Sequence, residues 1–208
     1  LRLDWGALAA TAEAFDGCCQ VRREDTLLSS LAPGDPLFVH LGLLGGPLLG
    51  IAATSVPPES SAATILRELA ERKATLWLAR VEQVAAMARD RSAAGEALPA
   101  RLAVVVMPIA SPEELPAAQA ASAAFLAAYG IEPVVAFAPG PLGGLVAMNT
   151  PPARAADHEK TCRADSLGRV VNGVAVWPDA AARAALGLPA WSLSASAGQA
   201  SRTGVPSP

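Results

Sequence analysis

The sequence predicts an α/β domain built on a mostly parallel sheet with helices on both faces. Short apolar or β-branched runs alternate with longer segments whose apolar residues recur at helical spacing, which is typical of strand–helix–strand units. One run, residues 102–106, is apolar at every position, as expected for a strand that is covered on both faces. The chain has 208 residues, of which 52% are hydrophobic, so it can bury a sizeable core.

Four helices are predicted from their start and stop signals. Asp4 is placed to cap the first helix, and Ser60 or Ser61 to cap the second. The series Ser111-Pro112-Glu113-Glu114 provides an N-cap, a first-turn proline and first-turn acids for the last helix, which Gly130 ends. The predicted helices cover residues 4–15, 62–72, 81–91 and 112–129.

The strands are predicted from apolar runs that proline and glycine interrupt. Residues 33–36 end the first strand, and Pro57-Pro58 end the second. Residues 37–49 are interpreted as a strand end that runs into a helix whose glycines allow close packing. One more strand is predicted over residues 174–177, and one more helix over residues 180–186. The main predicted strands cover residues 25–30, 51–56, 74–78, 102–106, 133–137 and 145–148.

Composition divides the chain into a folded part and a tail. Residues 1–178 carry the alternating pattern and are predicted to form the α/β unit. Residues 179–208 are predicted to form a short helix and a flexible linker or tail, because Ser, Gly, Ala and Pro dominate from Ser192 onward. The first five residues resemble no signal peptide and lack an initiator Met, so we expect the chain to be a segment of a larger polypeptide.

Charge and cysteine content argue against several classes of function. The formal net charge is -3 and no basic run occurs, which disfavours nucleic-acid binding. No segment reaches the roughly 18 uninterrupted apolar residues of a membrane helix. Cys18 and Cys19 are adjacent and Cys162 stands apart, a pattern that suits neither a disulfide framework nor a zinc site. We expect a cytoplasmic protein with reduced thiols that binds neither nucleic acid nor membranes.

The residues that could carry chemistry do not form a recognisable catalytic set. His40 lies in an apolar stretch, where it is either a general base or a core or pocket-lining residue, and His158 lies in a polar loop. Nothing in the sequence places a nucleophile beside either histidine. The glycine-rich residues 42–46 lack the Lys-Ser/Thr of a P-loop, and residues 139–144 contain prolines where a phosphate cradle needs N–H donors. We therefore predict no catalytic, cofactor-binding or metal-binding residues.

Six segments of the chain form an ordered series of recognisable types. They are a helix start, a strand-to-helix turn, a helix end with the strand after it, a small-residue turn, a strand–loop–strand, and a late glycine–arginine segment. In this order they cover residues 3–8, 36–46, 69–75, 106–115, 137–149 and 165–176. The series resembles the middle of the large domain of adenylate-forming enzymes: acyl-CoA synthetases, fatty acyl-AMP ligases and related adenylation domains. The resemblance spans residues 3–178 and implies the fold of the middle subdomain of that large domain.

The chain departs from this family in the adenine-binding loop. The family's motif there is Tyr-Gly-x-Thr-Glu, in which Thr meets the nucleotide phosphate and Glu binds Mg²⁺. The corresponding residues here are Phe137-Ala138-Pro139-Gly140-Pro141. A rival alignment through residues 129–132 puts Glu132 one position early and spoils the downstream register. The chain also contains neither the family's Ser/Thr/Gly-rich phosphate loop, nor its ribose-binding Asp, nor a lid with a catalytic Lys.

The resemblance and its departures together imply a pseudo-domain. Its expected role is structural, docking, or acyl- or pantetheine-binding, within a larger multienzyme such as a polyketide or peptide synthase, and it needs no cofactor. Its expected partners are neighbouring domains, a carrier protein or a second copy of the chain. The alternative is a fragment of an active acyl-AMP ligase or acyl-CoA synthetase, which would use ATP and Mg²⁺. An unrelated hydrolase is disfavoured because no Gly-x-Ser-x-Gly elbow occurs. The residues predicted to line a cleft are His40, Leu41, Gly42, Phe137, Pro139, Gly140, Leu142 and Gly143.

Overall fold

One seven-stranded sheet organises the part of the chain that the computed structural model describes, which is residues 5–94, 98–139, 144–155, 166–172 and 174. The strands are β1 (Thr26–Ser29), β2 (Ala52–Ser55), β3 (Leu76–Leu78), β4 (Val104–Ile109), β5 (Val134–Phe137), β6 (Ala147–Met148) and β7 (Arg169–Val170). The helices are α1 (Trp5–Cys19), α2 (Gly45–Leu49), α3 (Ala62–Glu71), α4 (Val81–Ala94) and α5 (Leu115–Tyr129). A π-helix covers Phe38–Leu43, and a 3₁₀ turn, Pro112–Glu114, leads into α5.

The predicted α/β class with a mostly parallel sheet is confirmed. The strand order is β2-β1-β3-β4-β5-β6-β7. All neighbours from β2 to β5 pair in parallel, whereas β6 and β7 are antiparallel to their neighbours. Strand β7 was not predicted from the sequence. The strand and helix predicted beyond residue 173 lie outside the described residues, except for Val174, and so does the predicted tail.

The helices cover both faces of the sheet, as predicted. We call the two hydrophobic clusters on these faces the α1-side cluster and the α5-side cluster. The α1-side cluster lies under α1, the π-helix and α2, and the α5-side cluster lies under α3, α4 and α5. Trp77, Phe125 and Tyr129 anchor the α5 side, with ring centroids 6.2 Å and 4.8 Å apart in that order. These rings are among the few large side chains of a core otherwise built from Leu, Val, Ile, Met and Ala.

Strand β4 is the central strand, as the apolar run predicted. All six of its residues are buried. Its side chains alternate between the faces: Val104 and Val106 belong to the α1-side cluster, and Val105, Met107 and Ile109 to the α5-side cluster. The continuous apolar run is therefore explained by cover on both faces.

The strand continues beyond its predicted end through Pro108, which is unusual in the middle of a sheet. Val106 O accepts the Ala79 N–H at 2.9 Å, and Ile109 O accepts the Ala138 N–H at 2.9 Å. Residues two apart on a strand direct their backbone groups to the same neighbour, so Pro108 faces the β3 side, where β3 has already ended. Because of this position, the missing N–H breaks no ladder bond.

The strand predicted at the start of residues 37–49 is wrong, because Phe38–Leu43 form a π-helix. Leu37 enters it with φ 64°, and the Gly42 N–H donates to Leu37 O over five residues at 3.2 Å. The predicted close packing by glycines is present. A Cβ on Gly45 would lie 2.9 Å from Leu27 Cδ2, and one on Gly46 would lie 3.0 Å from Ala53 Cβ. The glycines thus let this helical segment lie directly on β1 and β2.

Gly168 fixes the start of β7, and its replacement by alanine is expected to lower the free energy of unfolding by about 3 kcal/mol. Its φ is 100°, and an added Cβ would lie 2.3 Å from the carbonyl carbon of Met148 and 2.4 Å from Asn149 N. Backbone atoms cannot rotate away as a side chain can. The measurement is urea denaturation. Gly34→Ala is the matched control, since nothing lies within 4 Å of its Cβ position. Equal stability of the two variants would contradict the assigned contact.

Candidate functional site

The crossover connections of the sheet diverge between β1 and β3. The π-helix and α2, which follow β1, pack on the α1 side, whereas α4, which follows β3, packs on the α5 side. In open α/β sheets, ligands bind outside the carboxyl ends of the strands at such a divergence. The space beyond the carboxyl ends of β1 and β3 is therefore the candidate site, and we call it the switch-point crevice.

Two buried polar side chains, Ser30 and Gln83, lie in the switch-point crevice, and the indole N–H of Trp77 is hydrogen-bonded to Ser30. The Ser30 hydroxyl donates to Gln83 Oε1 at 2.6 Å and accepts the Trp77 Nε1–H at 3.0 Å. Gln83 Oε1 also accepts the Arg80 N–H at 3.1 Å, and Gln83 Nε2 donates to Pro58 O at 2.9 Å. The crevice is thus occupied by a hydrogen-bonded network that joins the loops after β1, β2 and β3.

An ion pair lies at the mouth of this crevice. Arg80 Nε is 3.2 Å from Asp35 Oδ2, and the same carboxylate oxygen accepts the Ala32 N–H at 2.6 Å. The two side chains are partly exposed, so the pair is solvated and its contribution to stability is small. Its effect is to hold the loop after β1 against the start of α4.

The π-helix places the predicted cleft residues His40, Leu41 and Gly42 on the α1 side of the crevice. His40 is 5% exposed, and Leu41 is fully buried in the α1-side cluster. A Cβ on Gly42 would lie 2.8 Å from Ser29 Oγ, so this part of the π-helix touches the end of β1. The role of these residues in lining a ligand site stays a prediction.

The structure places Phe137 on the opposite face from Leu41. Phe137 is half-buried and packs against the α5-side cluster, while Ala138 turns to the α1 side. Strands β3 and β4 separate β5 from β1, a distance of about 14 Å at the usual strand spacing. Pro139 is the last residue described before the gap at residues 140–143. The other predicted lining residues of the loop lie outside the described residues: Gly140, Leu142 and Gly143.

The backbone donors before α5 are held by a side chain of the same turn. Glu114 Oε1 accepts the Ala110 N–H at 3.1 Å and the Ser111 N–H at 2.9 Å. The predicted capping sequence is confirmed, although its first turn is 3₁₀. A hydrogen bond from Ser111 holds the pKa of the exposed Glu113 below its ordinary value. Because Glu114 takes these N–H groups, they are not directed at an external anion.

A second buried polar cluster, at the amino ends of the strands, was missed by the sequence reasoning. Arg154 Nη2 donates to Asp25 Oδ1 at 2.7 Å, and the Thr75 hydroxyl donates to the same oxygen at 2.7 Å. Asp25 Oδ2 accepts the Arg22 N–H at 2.8 Å. Burial raises the pKa of Asp25, but the hydrogen bonds from Arg22, Thr75 and Arg154 outweigh burial and lower that pKa overall. The ion pair links residues 129 positions apart, for which the sequence carries no local signal.

The described cysteines are unsuited to nucleophilic catalysis. Cys19 is fully buried, and burial raises the pKa of its thiol well above the ordinary value. Burial also raises the pKa of Cys18, against the opposing charge of Arg169. Both are free thiols, and a neutral thiol is a poor nucleophile. Cys162 and His158 lie outside the described residues.

An open groove of about 190 Å³ lies between α5 and the start of β5. Its lining includes the apolar side chains of Ala123 and Leu126 and the polar side chains of Glu132, Asn149 and Ser166. The groove is at the amino end of β5, away from the switch-point crevice. Within the described ranges, no three His, Cys, Asp or Glu side chains are grouped to hold a metal ion. No described helix is long and apolar enough to cross a membrane.

No family model matches the chain, and no curated protein matches its sequence. Solved structures do match its fold. A malonyl-CoA ligase in a ternary product complex has a TM-score of 0.64 at 22% identity, covering 81% of this chain and 34% of that one. A benzoate CoA ligase from Burkholderia xenovorans LB400 has a TM-score of 0.60 at 19% identity, covering 80% and 32%. A fatty acid AMP ligase from Legionella pneumophila has a TM-score of 0.57 at 15% identity, covering 73% and 27%.

These matches confirm the resemblance to adenylate-forming enzymes at the level of the fold. At 15–22% identity, these matches show that the chain shares the fold of the ligases, but they do not show that it shares their activity. The chain spans about a third of the length of the ligases it matches. It therefore has the fold of one part of an adenylate-forming ligase.

Proposed function

We propose that this chain is a non-catalytic domain with part of the adenylate-forming fold, kept for a structural, docking, or acyl- or pantetheine-binding role. Its setting would be a larger cytoplasmic multienzyme, such as a polyketide or peptide synthase. Its partners would be neighbouring domains, a carrier protein or a second copy of the chain. It would need neither ATP nor Mg²⁺.

The observation that carries this proposal is the sequence of the loop after β5. The family resemblance implies a Thr that meets the nucleotide phosphate and a Glu that binds Mg²⁺, but Gly140 and Pro141 stand in their places. Neither has a side-chain oxygen, and Mg²⁺ is bound in proteins chiefly through oxygen ligands. Adenylation depends on holding ATP, metal and carboxylate together. Without the Thr and the Glu, this loop supplies neither the phosphate contact nor the Mg²⁺ ligand.

The carboxyl edge of the sheet supports the same proposal. An anionic nucleotide would need free backbone N–H donors at this edge. Glu114 takes the donors before α5, and Gln83 takes the Arg80 N–H before α4. Pro108 has no N–H to offer on the β3 side of β4. The N–H groups of Arg80, Ala110 and Ser111 are thus bound internally, and Pro108 has none.

The chemistry of the loop after β5 favours an apolar or pantetheine-like guest over a charged nucleotide. Pro139 and Pro141 stiffen the loop and remove two donors, and Phe137 adds an apolar ring beside it. An acyl chain needs apolar cover and few donors, whereas a nucleotide needs both donors and counter-charge. This is the reason for including acyl or pantetheine binding among the proposed roles.

Isothermal titration of the chain with ATP and Mg²⁺ tests the proposal. The expected result is no binding in the micromolar range and no ATP–pyrophosphate exchange with fatty or aryl acids. The same two measurements on the parent polypeptide show whether flanking sequence restores activity. Micromolar ATP binding by this chain, or pyrophosphate exchange by the parent that depends on this segment, would overturn the non-catalytic role.

Restoring the two family residues together, Gly140→Thr with Pro141→Glu, is expected not to produce ATP binding. This chain contains no phosphate loop, ribose-binding acid or lid lysine, so two side chains cannot complete a nucleotide site. The measurement is titration calorimetry of the double variant with ATP and Mg²⁺. Gly140→Ala with Pro141→Ala is the matched control for the loss of proline stiffness. Clear ATP affinity of the Thr/Glu variant, but not of the Ala/Ala control, would mean that the nucleotide site is otherwise intact and lacks only these two side chains.

One observation favours a second candidate, a fragment of an active acyl-AMP ligase or acyl-CoA synthetase. The chain covers only 27–34% of the matched ligases, which leaves most of a ligase outside the matched region. In that case ATP, Mg²⁺ and the catalytic lysine would be held by flanking sequence. A Ser/Thr/Gly-rich loop ending in Lys upstream, together with a lysine-bearing lid downstream and pyrophosphate exchange by the parent, would establish this candidate.

A further inference from the structure

Hydrogen bonds from three separate chain segments surround the side-chain amide of Gln83, as they would surround a bound ligand. Its Oε1 accepts two hydrogen bonds, from the Ser30 hydroxyl at 2.6 Å and from the Arg80 N–H at 3.1 Å. Its Nε2 donates to Pro58 O at 2.9 Å. The three partners come from the loops after β1, β3 and β2, so three separate chain segments converge on one carboxamide group.

Helix capping explains only one of these three bonds. Gln83 is the third residue of α4, and a Gln there commonly accepts the N–H of the N-cap residue, here Arg80. Capping requires neither Ser30 nor Pro58, which lie 53 and 25 residues away in the chain. Gln83 is 9% exposed and Ser30 is fully buried, so water does not readily replace these bonds.

We propose that the switch-point crevice is a binding site for a small carboxamide group, which the chain fills with its own Gln83. The partner set selects an amide: two donors converge on the carbonyl oxygen, and one acceptor faces the N–H. A carboxylate would set a negative oxygen against the Pro58 carbonyl. A hydroxyl offers one oxygen, whereas these partners are arranged around two different atoms of the amide. This inference rests on the hydrogen-bond network and does not depend on the proposed function.

Chemical rescue of Gln83→Ala tests the site. The substitution removes the atoms of an acetamide molecule, leaving the three partners around a cavity. Acetamide at about 0.5 M is expected to raise the melting temperature of Gln83→Ala by about 3 °C relative to its effect on wild type, the size expected at roughly ten times the dissociation constant. Gln119→Ala on α5, a glutamine outside the crevice, is the matched control and should respond like wild type.

Two further measurements separate recognition of an amide from filling of a hole. Sodium acetate at equal concentration, corrected by wild type for its salt effect, should not raise the melting temperature of Gln83→Ala. Adding Ser30→Ala to that variant should weaken the acetamide response at least threefold. If Gln83→Ala does not fold in buffer, acetamide-dependent refolding replaces the melting shift as the expected result. An equal response to acetamide in wild type, in Gln119→Ala and in Gln83→Ala, or no refolding in acetamide, would overturn the proposal.

Discussion

Replacing Val104 with aspartate is expected to prevent the chain from folding. Val104 is 1% exposed and lies on β4, the fourth strand of seven, where it packs into the α1-side cluster. A carboxylate there has no charged partner among its cluster neighbours. Burying it unpaired costs about 4 kcal/mol or more, and a domain of this size has a total stability of only about 5–15 kcal/mol.

The measurement is circular dichroism with thermal or urea denaturation of the purified variant. Val170→Asp is the matched control, because Val170 lies on the terminal strand β7 and is 40% exposed. The control is expected to keep a cooperative transition within about 1 kcal/mol of wild type. A soluble Val104→Asp chain that unfolds cooperatively near the wild-type midpoint would refute the position of β4 at the centre of the core.

The strands could be predicted because the burial pattern of a strand depends on consecutive residues of the sequence. A strand covered on both faces needs consecutive apolar residues, and residues 102–106 supply them. The end of β4 could not be predicted, because proline normally ends a central strand. Pro108 is tolerated only because β3 stops before it, which depends on the length of a different strand. The local pattern therefore located the strand but not its last residues.

The π-helix shows a second limit of local pattern. Residues 37–43 are apolar except for His40 and contain the β-branched Val39, which favours a strand over a helix. The helical form depends on the left-handed backbone of Leu37 and on glycines that lie against β1 and β2. These contacts exist only once the sheet has formed. Tertiary packing thus overrode the local preference.

The candidate site was predicted only in part for the same reason. His40 and the loop after β5 lie in segments whose sequence resembles the family's, so they could be predicted as cleft residues. Ser30 and Gln83 carry no motif, since a serine after a strand and a glutamine in a first helical turn are common. Their importance arises from the strand order, which brings the loops after β1 and β3 together. The local sequence pattern around Ser30 and Gln83 does not indicate that strand order.

Removing Arg154 is expected to destabilise the chain by about 3–5 kcal/mol. Arg154→Met leaves the buried Asp25 carboxylate without its charged partner, because the two side chains are only 6% and 2% exposed. The ion pair also ties residues 151–155 to the start of β1, and Arg154 Nη1 lies 3.4 Å from Gln20 O at the end of α1. Urea denaturation measures the loss. Arg67→Met is the matched control, since that arginine is largely exposed and its ion-pair partners among the described residues, Glu68 and Glu71, lie on its own helix.

The contribution of the Asp25 carboxylate to stability is expected to decrease as the solution becomes acidic. Its folded-state pKa is lowered, so its ionised form stabilises the fold above the ordinary carboxyl pKa of about 4. That contribution is lost as the pH falls through the lower folded-state pKa. The difference in unfolding free energy between wild type and Asp25→Asn should therefore be full above about pH 4 and should shrink in more acidic solution. If the difference in unfolding free energy between wild type and Asp25→Asn instead grew as the pH fell, the pKa of Asp25 would not be lowered in the folded state.

A double-mutant cycle separates the ion pair from simple packing. Asp25→Asn with Arg154→Met removes both charges, so no uncompensated charge stays buried, and the double variant should be more stable than Arg154→Met alone. The expected coupling energy is about 2 kcal/mol, within the range for residues in one buried network. If the two losses simply add, the guanidinium acts through its packing against Gln20 and its neighbours. In that case the buried pair would not be what holds residues 151–155 to β1.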